Sequence, residues 1–147
     1  MRLGRRKARV IALETLYQLD ISDGNVNDII ETKMEKKKIK ENVKDFILRL
    51  TNGVCKHRNE IDRLIEANAE NWSLDRITVI DKNILRLASF ELLYCSDIPF
   101  KVIIDEAVEL GKMYGTEDSK AFINGVLDKI VRGVSSRKQE LRGVSTA

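Results

Sequence analysis

Apolar residues recur along this chain at three- and four-residue intervals, the period of an amphipathic α-helix, and seldom alternate as a strand would require. The first such segment runs from about Arg5 to Asp20, with Ala8, Ala12, Leu16 and Leu19 on one stripe widened by Val10, Leu13 and Tyr17. The cluster Ser22-Asp23-Gly24-Asn25 is turn chemistry and closes it. A short helix through Ile29, Ile30 and Met34 follows, then the solvated run Lys36-Lys37-Lys38. From Glu41 the positions Val43, Phe46, Ile47, Leu50, Val54, Ile61, Leu64 and Ile65 predict one long amphipathic helix. Gly53 lies inside it, and a mid-helix glycine costs about 1 kcal/mol relative to alanine, so it marks either close packing or a break.

Asn71-Trp72-Ser73 opens a second unit, with Ser73 the expected N-cap of a short helix. Asp81 is expected to cap and start the next helix, whose inward positions are Ile84, Leu85, Ala88 and Leu92. Asp97-Ile98-Pro99 reads as a turn, and Ile103, Ile104, Ala107, Val108, Leu110 and Tyr114 as the helix after it. Gly115 is placed for a left-handed C-terminal cap, and Ser119 for an N-cap of the last helix. That helix carries Phe122, Ile123, Val126, Leu127, Ile130 and Val131 at helical spacing. From Ser135 to Ala147 the chain is polar and expected to fray. Short loops, no strand signal and no fixed-period repeat predict an all-α, compact helical bundle of about seven helices. Leu13, Leu16, Phe46, Leu50, Ile84, Leu85, Ala88, Val108, Val126 and Leu127 are its expected core.

A length of 147 residues fits one domain or two closely packed halves. No apolar run approaches the roughly 18 residues of a membrane span, and no export signal follows the basic N-terminus, so no membrane role and a reducing cytosol are expected. Cys55 and Cys95 each sit in an apolar run and read as buried thiols. Net charge is only +3, yet residues 1–10 carry +5, residues 129–147 carry +4 and the body between carries −6. Two cationic ends on an acidic body suggest a polyanion at one surface and a basic protein at another.

Catalytic chemistry is hard to find. The single histidine, His57, stands between Lys56 and Arg58 without a second ligand at metal spacing, and reads as a surface residue. Isolated cysteines offer no CxxC zinc site, and there is no strand on which to place a phosphate loop. Asp105, Glu106 and Glu109 cluster on one helix but lack a paired base. No enzyme, no cofactor and no metal are therefore expected. Arg5, Arg6, Lys7 and Arg9 differ from these, because they concentrate cations at a helix N-terminus, where the macrodipole favours anions. They are either an ordinary solvated terminus or a site for single-stranded RNA, whose phosphates and bases suit arginine. Tyr17, Phe46, Phe90, Tyr94 and Tyr114 fall near apolar stripes and read as core. Phe122, one turn into the last helix, could close the core or present its ring to a base.

The order of these motifs resembles the NusB family of transcription antitermination factors. Arg5-Arg6-Lys7-Ala8-Arg9 with Ala12-Leu13 and Leu16-Tyr17-Gln18 is similar to that family's opening, and Asp81-Lys82-Asn83-Ile84-Leu85-Arg86-Leu87-Ala88 with Glu91-Leu92 to its central signature. Pro99, Val102, Ile104, the run Asp105 to Leu110, Lys112 and Gly115 continue the pattern, and Phe122-Ile123-Asn124-Gly125-Val126-Leu127-Asp128 closes it. The resemblance covers roughly residues 5–131, with Asp105 where asparagine is frequent and Gly111 where alanine is. It implies a single NusB-like RNA-binding domain over residues 1–134, in subdomains of about 1–70 and 71–134, with a tail at 135–147. It implies binding to boxA RNA of ribosomal RNA transcripts together with the ribosomal protein NusE, within an RNA polymerase antitermination complex. By the same likeness Arg5, Arg6, Lys7 and Arg9 would grip RNA, Asp118 and Phe122 would line its path, and Tyr17, Asp75 and Asp81 would lie toward NusE. Two other classes stay open: a structural helical homodimer, and the RNA-binding accessory domain of an RNA methyltransferase. The latter needs a methyl-donor-binding domain, which is not expected within a chain ending at Ala147.

Overall fold

The structure is a computed structural model that describes residues 2–70 and 73–146, with side chains over 4–70 and 73–135. Among the described residues it has seven α-helices and no strand. Asn71 and Trp72, expected at the opening of the second unit, lie outside the described residues.

Helix α1 runs Arg2–Ile21 and α2 runs Val26–Lys37. Between them Asn25 caps α2, its Oδ1 accepting the N–H groups of Asn27 at 2.9 Å and Asp28 at 3.3 Å. The single long helix expected from Glu41 is two, α3 over Glu41–Lys56 and α4 over Arg58–Asn68. Gly53 explains part of this, since a Cβ added there would overlap the Phe90 ring, so α3 presses closely on α5 (Val79–Tyr94) at that point. The break comes four residues later at His57, whose backbone (φ −105°, ψ 18°) leaves the helical range while its N–H still donates to the Gly53 carbonyl at 3.0 Å. The imidazole of His57 then stacks on Tyr94 with ring centroids 4.2 Å apart.

Ser73 precedes a single 3-10 turn, Leu74–Arg76, without a side-chain capping bond. Asp81 does not cap α5. Thr78 does, its hydroxyl accepting the Asp81 N–H at 3.2 Å three residues on. Helix α6 spans Phe100–Tyr114 and α7 spans Ser119–Thr146. Gly115 after α6 is extended (φ −92°, ψ −161°), not left-handed. Glycine is needed there for closeness, since a Cβ would overlap the Ser119 hydroxyl. That hydroxyl accepts the Thr116 N–H at 2.9 Å, so Ser119 braces the loop as the first residue of α7 instead of capping it. The backbone of α7 stays helical to Thr146, past Ser135 where polar composition predicts fraying.

Helix α5 is buried nearly all round, with Ile84, Leu85, Leu87, Ala88, Phe90 and Leu92 in the core and Asn83, Arg86 and Glu91 buried beside them. It packs against α1, α3 and α4 and also against α6 and α7. Every expected core residue is buried except Val108, which is half-buried against the core. The aromatic expectation divides: Phe46 and Phe90 are buried, whereas Tyr17, Tyr94 and Tyr114 are exposed. Their phenols reach water or a polar partner, as when the Tyr94 hydroxyl donates to Glu60 at 2.6 Å. Cys95 is buried, but Cys55 is exposed, because the residue after buried Val54 turns about 100° away from the core. Arg86 of α5 is 3% exposed and donates to Asp62 at 2.8 and 3.1 Å, to Asp20 at 3.1 Å and to the side-chain Oδ1 of Asn83 at 3.2 Å. That network ties α1, α4 and α5 together.

Candidate nucleic-acid interface

A helix turns about 100° per residue, so four cations within five positions of α1 cannot share one face. Arg9 stands three, four and seven residues before Ala12, Leu13 and Leu16, on the apolar stripe. Accordingly it is 3% exposed, and its guanidinium is bound by Glu91 of α5 at distances of 2.7, 3.1 and 3.2 Å. Burial pushes the Glu91 carboxyl up, and the hydrogen bonds and charge of Arg9 pull it back. Through Nε and Nη2, both donating to Glu91, Arg9 joins α1 to α5. The structure thus places Arg9 inside, apart from exposed Arg5, Arg6 and Lys7, and its place on the apolar stripe is the signal in the sequence.

Arg5, Arg6 and Lys7 are exposed on the first turns of α1. Arg6 pairs with Glu106 of α6 at 3.0 and 3.2 Å. Arg5 reaches the other way, its guanidinium 4.5 Å from the centroid of the Phe46 ring on α3 and 3.9 Å from the Asp97 carboxylate. Neither acid stands out in the sequence as a site residue, and nothing local links position 6 to position 106. Lys7 remains as a third exposed cation beside them.

Phe122 and Asp118 lie at the other end of α5. The first turn of α7 and the turn before α5 enclose a cleft of about 360 Å³ lined by Arg76, Thr78, Asp81, Thr116, Asp118 and Phe122. Phe122 is half-buried, packed at the edge of the core with the rest of its ring toward the cleft. Asp81 belongs here as well. It is 7% exposed, its Oδ1 lacks a hydrogen-bond partner, and burial pushes its carboxyl up against the pull of the Ser119 hydroxyl. The structure brings Asp81 into the cleft of Asp118 and Phe122, whereas Tyr17 lines another. Along α5 the separation from Asp81 to Glu91, beside Arg9, is ten residues or about 15 Å.

Tyr17 lines a different, mainly apolar cleft of about 380 Å³ with Leu13, Ile21, Ile80 and Tyr114. Ile21 is 59% exposed and Tyr114 42%, so this end of α1 and α6 presents an apolar patch, the usual mark of a protein-binding surface. Asp75 stands exposed on the 3-10 turn. Among the described residues no group of three or more histidine, cysteine or acidic side chains could hold a metal, and no helix is long and apolar enough to cross a membrane.

Against known proteins, the model of the NusB family matches residues 6–132. A Myxococcus xanthus protein named transcription antitermination protein NusB is 47% identical over 86% of this chain and 93% of its own length. One of the same name from Anaeromyxobacter dehalogenans (strain 2CP-1) is 46% identical over 88% and 92%. Among solved structures, T. maritima NusB is 40% identical and superposes with a TM-score of 0.81 over 87% of this chain and 90% of that one. A crystal structure of the antitermination factors NusB and NusE in complex with double-stranded RNA contains a chain 30% identical, with a TM-score of 0.81, covering 90% and 99%.

Proposed function

This chain belongs to the NusB family, and from that premise we propose that it is a transcription antitermination factor that binds boxA RNA of ribosomal RNA transcripts jointly with NusE. Through that pair it enters the RNA polymerase antitermination complex. It acts in the cytosol, by binding and not by catalysis. The observation that carries this reading is the likeness, over nine-tenths of the chain, to a protein solved with NusE and RNA. The surfaces accord with it. Arg5, Arg6 and Lys7 offer cations to a phosphate backbone, and the half-buried ring of Phe122 beside Asp118 offers a stacking and hydrogen-bonding site for a base. Tyr17 and the apolar patch around it, with the exposed carboxylate of Asp75, suit a basic protein partner. On this reading the halves at about 1–70 and 71–134 each contribute, one the basic helix and the other the cleft.

The test is titration of the full chain with a boxA single strand and a scrambled strand, with and without NusE. Preference for boxA that sharpens when NusE is added is expected. Equal binding of the two strands in both conditions would overturn the proposal.

A further inference from the structure

Arg5 is not alone at Asp97. Arg49, from α3, donates its Nη2 to the other carboxylate oxygen at 3.2 Å, while Arg5 Nη2 stands 3.9 Å from the first. All three side chains are exposed, at 44%, 42% and 52% for Arg5, Arg49 and Asp97. Two guanidiniums thus share one carboxylate, which leaves a net charge of +1 in the cluster. The sequence places them far apart, at positions 5, 49 and 97, and three elements bring them together.

The arrangement is held in place. Phe46 and Arg49 are three residues apart and share a face of α3. Phe46 is buried, and the Arg5 guanidinium lies over its ring, so Arg5 is steered toward Arg49. Two guanidiniums converging on one anionic group is the geometry in which arginine binds a phosphodiester, whose oxygens resemble those of a carboxylate. Arg6 differs, because Glu106 matches it one to one in a bidentate pair.

We infer that Arg5 and Arg49 form a phosphate-binding clamp for the RNA backbone, in which the Asp97 carboxylate occupies the phosphate position until RNA displaces it. This rests on the proposed RNA-binding function and adds Arg49 of α3 to it, with Asp97 as an internal competitor. The exchange is feasible because exposed ion pairs are weak and screened. The Arg49 and Arg5 guanidiniums hold the Asp97 carboxyl below the usual carboxylate range, so it remains an anion across neutral pH.

Affinity of the full chain for a boxA single strand, measured over several salt concentrations beside thermal melts, tests this. Arg49→Ala should weaken binding and lower the slope of log K against log salt by about 0.7, the share of one single-strand phosphate. Asp97→Asn should tighten binding by about two- to fivefold, the scale of one exposed ion pair. In an Arg5→Ala/Arg49→Ala background that gain should vanish. Glu66→Gln, on the exposed side of α4, makes the same charge change away from the clamp. If it tightens binding as much as Asp97→Asn, the effect is long-range charge and the clamp is overturned. An unchanged slope in Arg49→Ala, with wild-type preference for boxA intact, overturns the clamp alone. A wild-type chain that binds neither strand overturns both readings.

Discussion

A guanidinium and a carboxylate that leave water together must satisfy each other, and Arg9 does so for Glu91 by donating from both Nε and Nη2. Removing one partner strands the other, so Arg9→Ala or Glu91→Ala should cost about 3–5 kcal/mol of stability. Chemical denaturation checks this, and a transition indistinguishable from wild type would mean the pair is not sealed. Asp81 poses the opposite problem, a buried acid with one oxygen unanswered. Its folded carboxyl is raised above 3.8, so the folded chain holds that proton more tightly than the unfolded one. The associated stability is present at low pH and lost as pH rises through the raised value. The stability of wild type relative to Asp81→Asn should therefore improve as pH falls from neutral toward 3.8. A difference constant with pH would contradict that. The cysteines separate likewise: burial pushes the Cys95 thiol up to about 11, while Cys55 is exposed. An alkylating reagent on the native protein should modify Cys55 and spare Cys95, which peptide mapping would read directly.

Among the elements, the contact of α3 with α5 leaves no room for a side chain at Gly53. Gly53→Ala places a methyl group in the Phe90 ring, and overpacking of this kind costs about 1–3 kcal/mol, enough to lower the melting temperature clearly. A neutral Gly53→Ala would mean that the two helices can separate freely there. Periodicity makes the helices and most of the core legible, because a buried stripe must repeat every three or four residues whatever it packs against. It also makes Gly53 visible as an exception. It cannot show that α3 and α4 are separate, since apolar spacing continues through His57, where the backbone leaves helical geometry and the imidazole stacks on Tyr94. Thr78 as the cap of α5 is within reach of the sequence, three residues before Asp81, but an acid before an apolar run is the more conspicuous signal. Gly115 is conspicuous for a different cause than the one that requires it: the left-handed cap is the common use of glycine after a helix, and the clash with Ser119 exists only once α6 and α7 are packed.

At the scale of the whole molecule, sequence charge divides the chain into basic ends and an acidic body, and the fold modifies that division. The acids that meet Arg5 and Arg6 come from the α5–α6 turn and from α6, nearly a hundred residues away, so the basic face of α1 is partly neutralised by its own protein. Arg9, the fourth cation of the cluster, is engaged inside. The exposed cations among the described side chains of α1 are thus Arg5, Arg6 and Lys7, the proposed RNA contacts, and the measurement closest to the central claim is the salt dependence of boxA binding when these three are replaced by alanine. Binding isotherms for wild type and Arg5→Ala/Arg6→Ala/Lys7→Ala should differ in the slope of log K against log salt by about 0.7 for each phosphate no longer neutralised, with the melting temperature little changed. Unchanged affinity and slope in the triple variant would contradict the account.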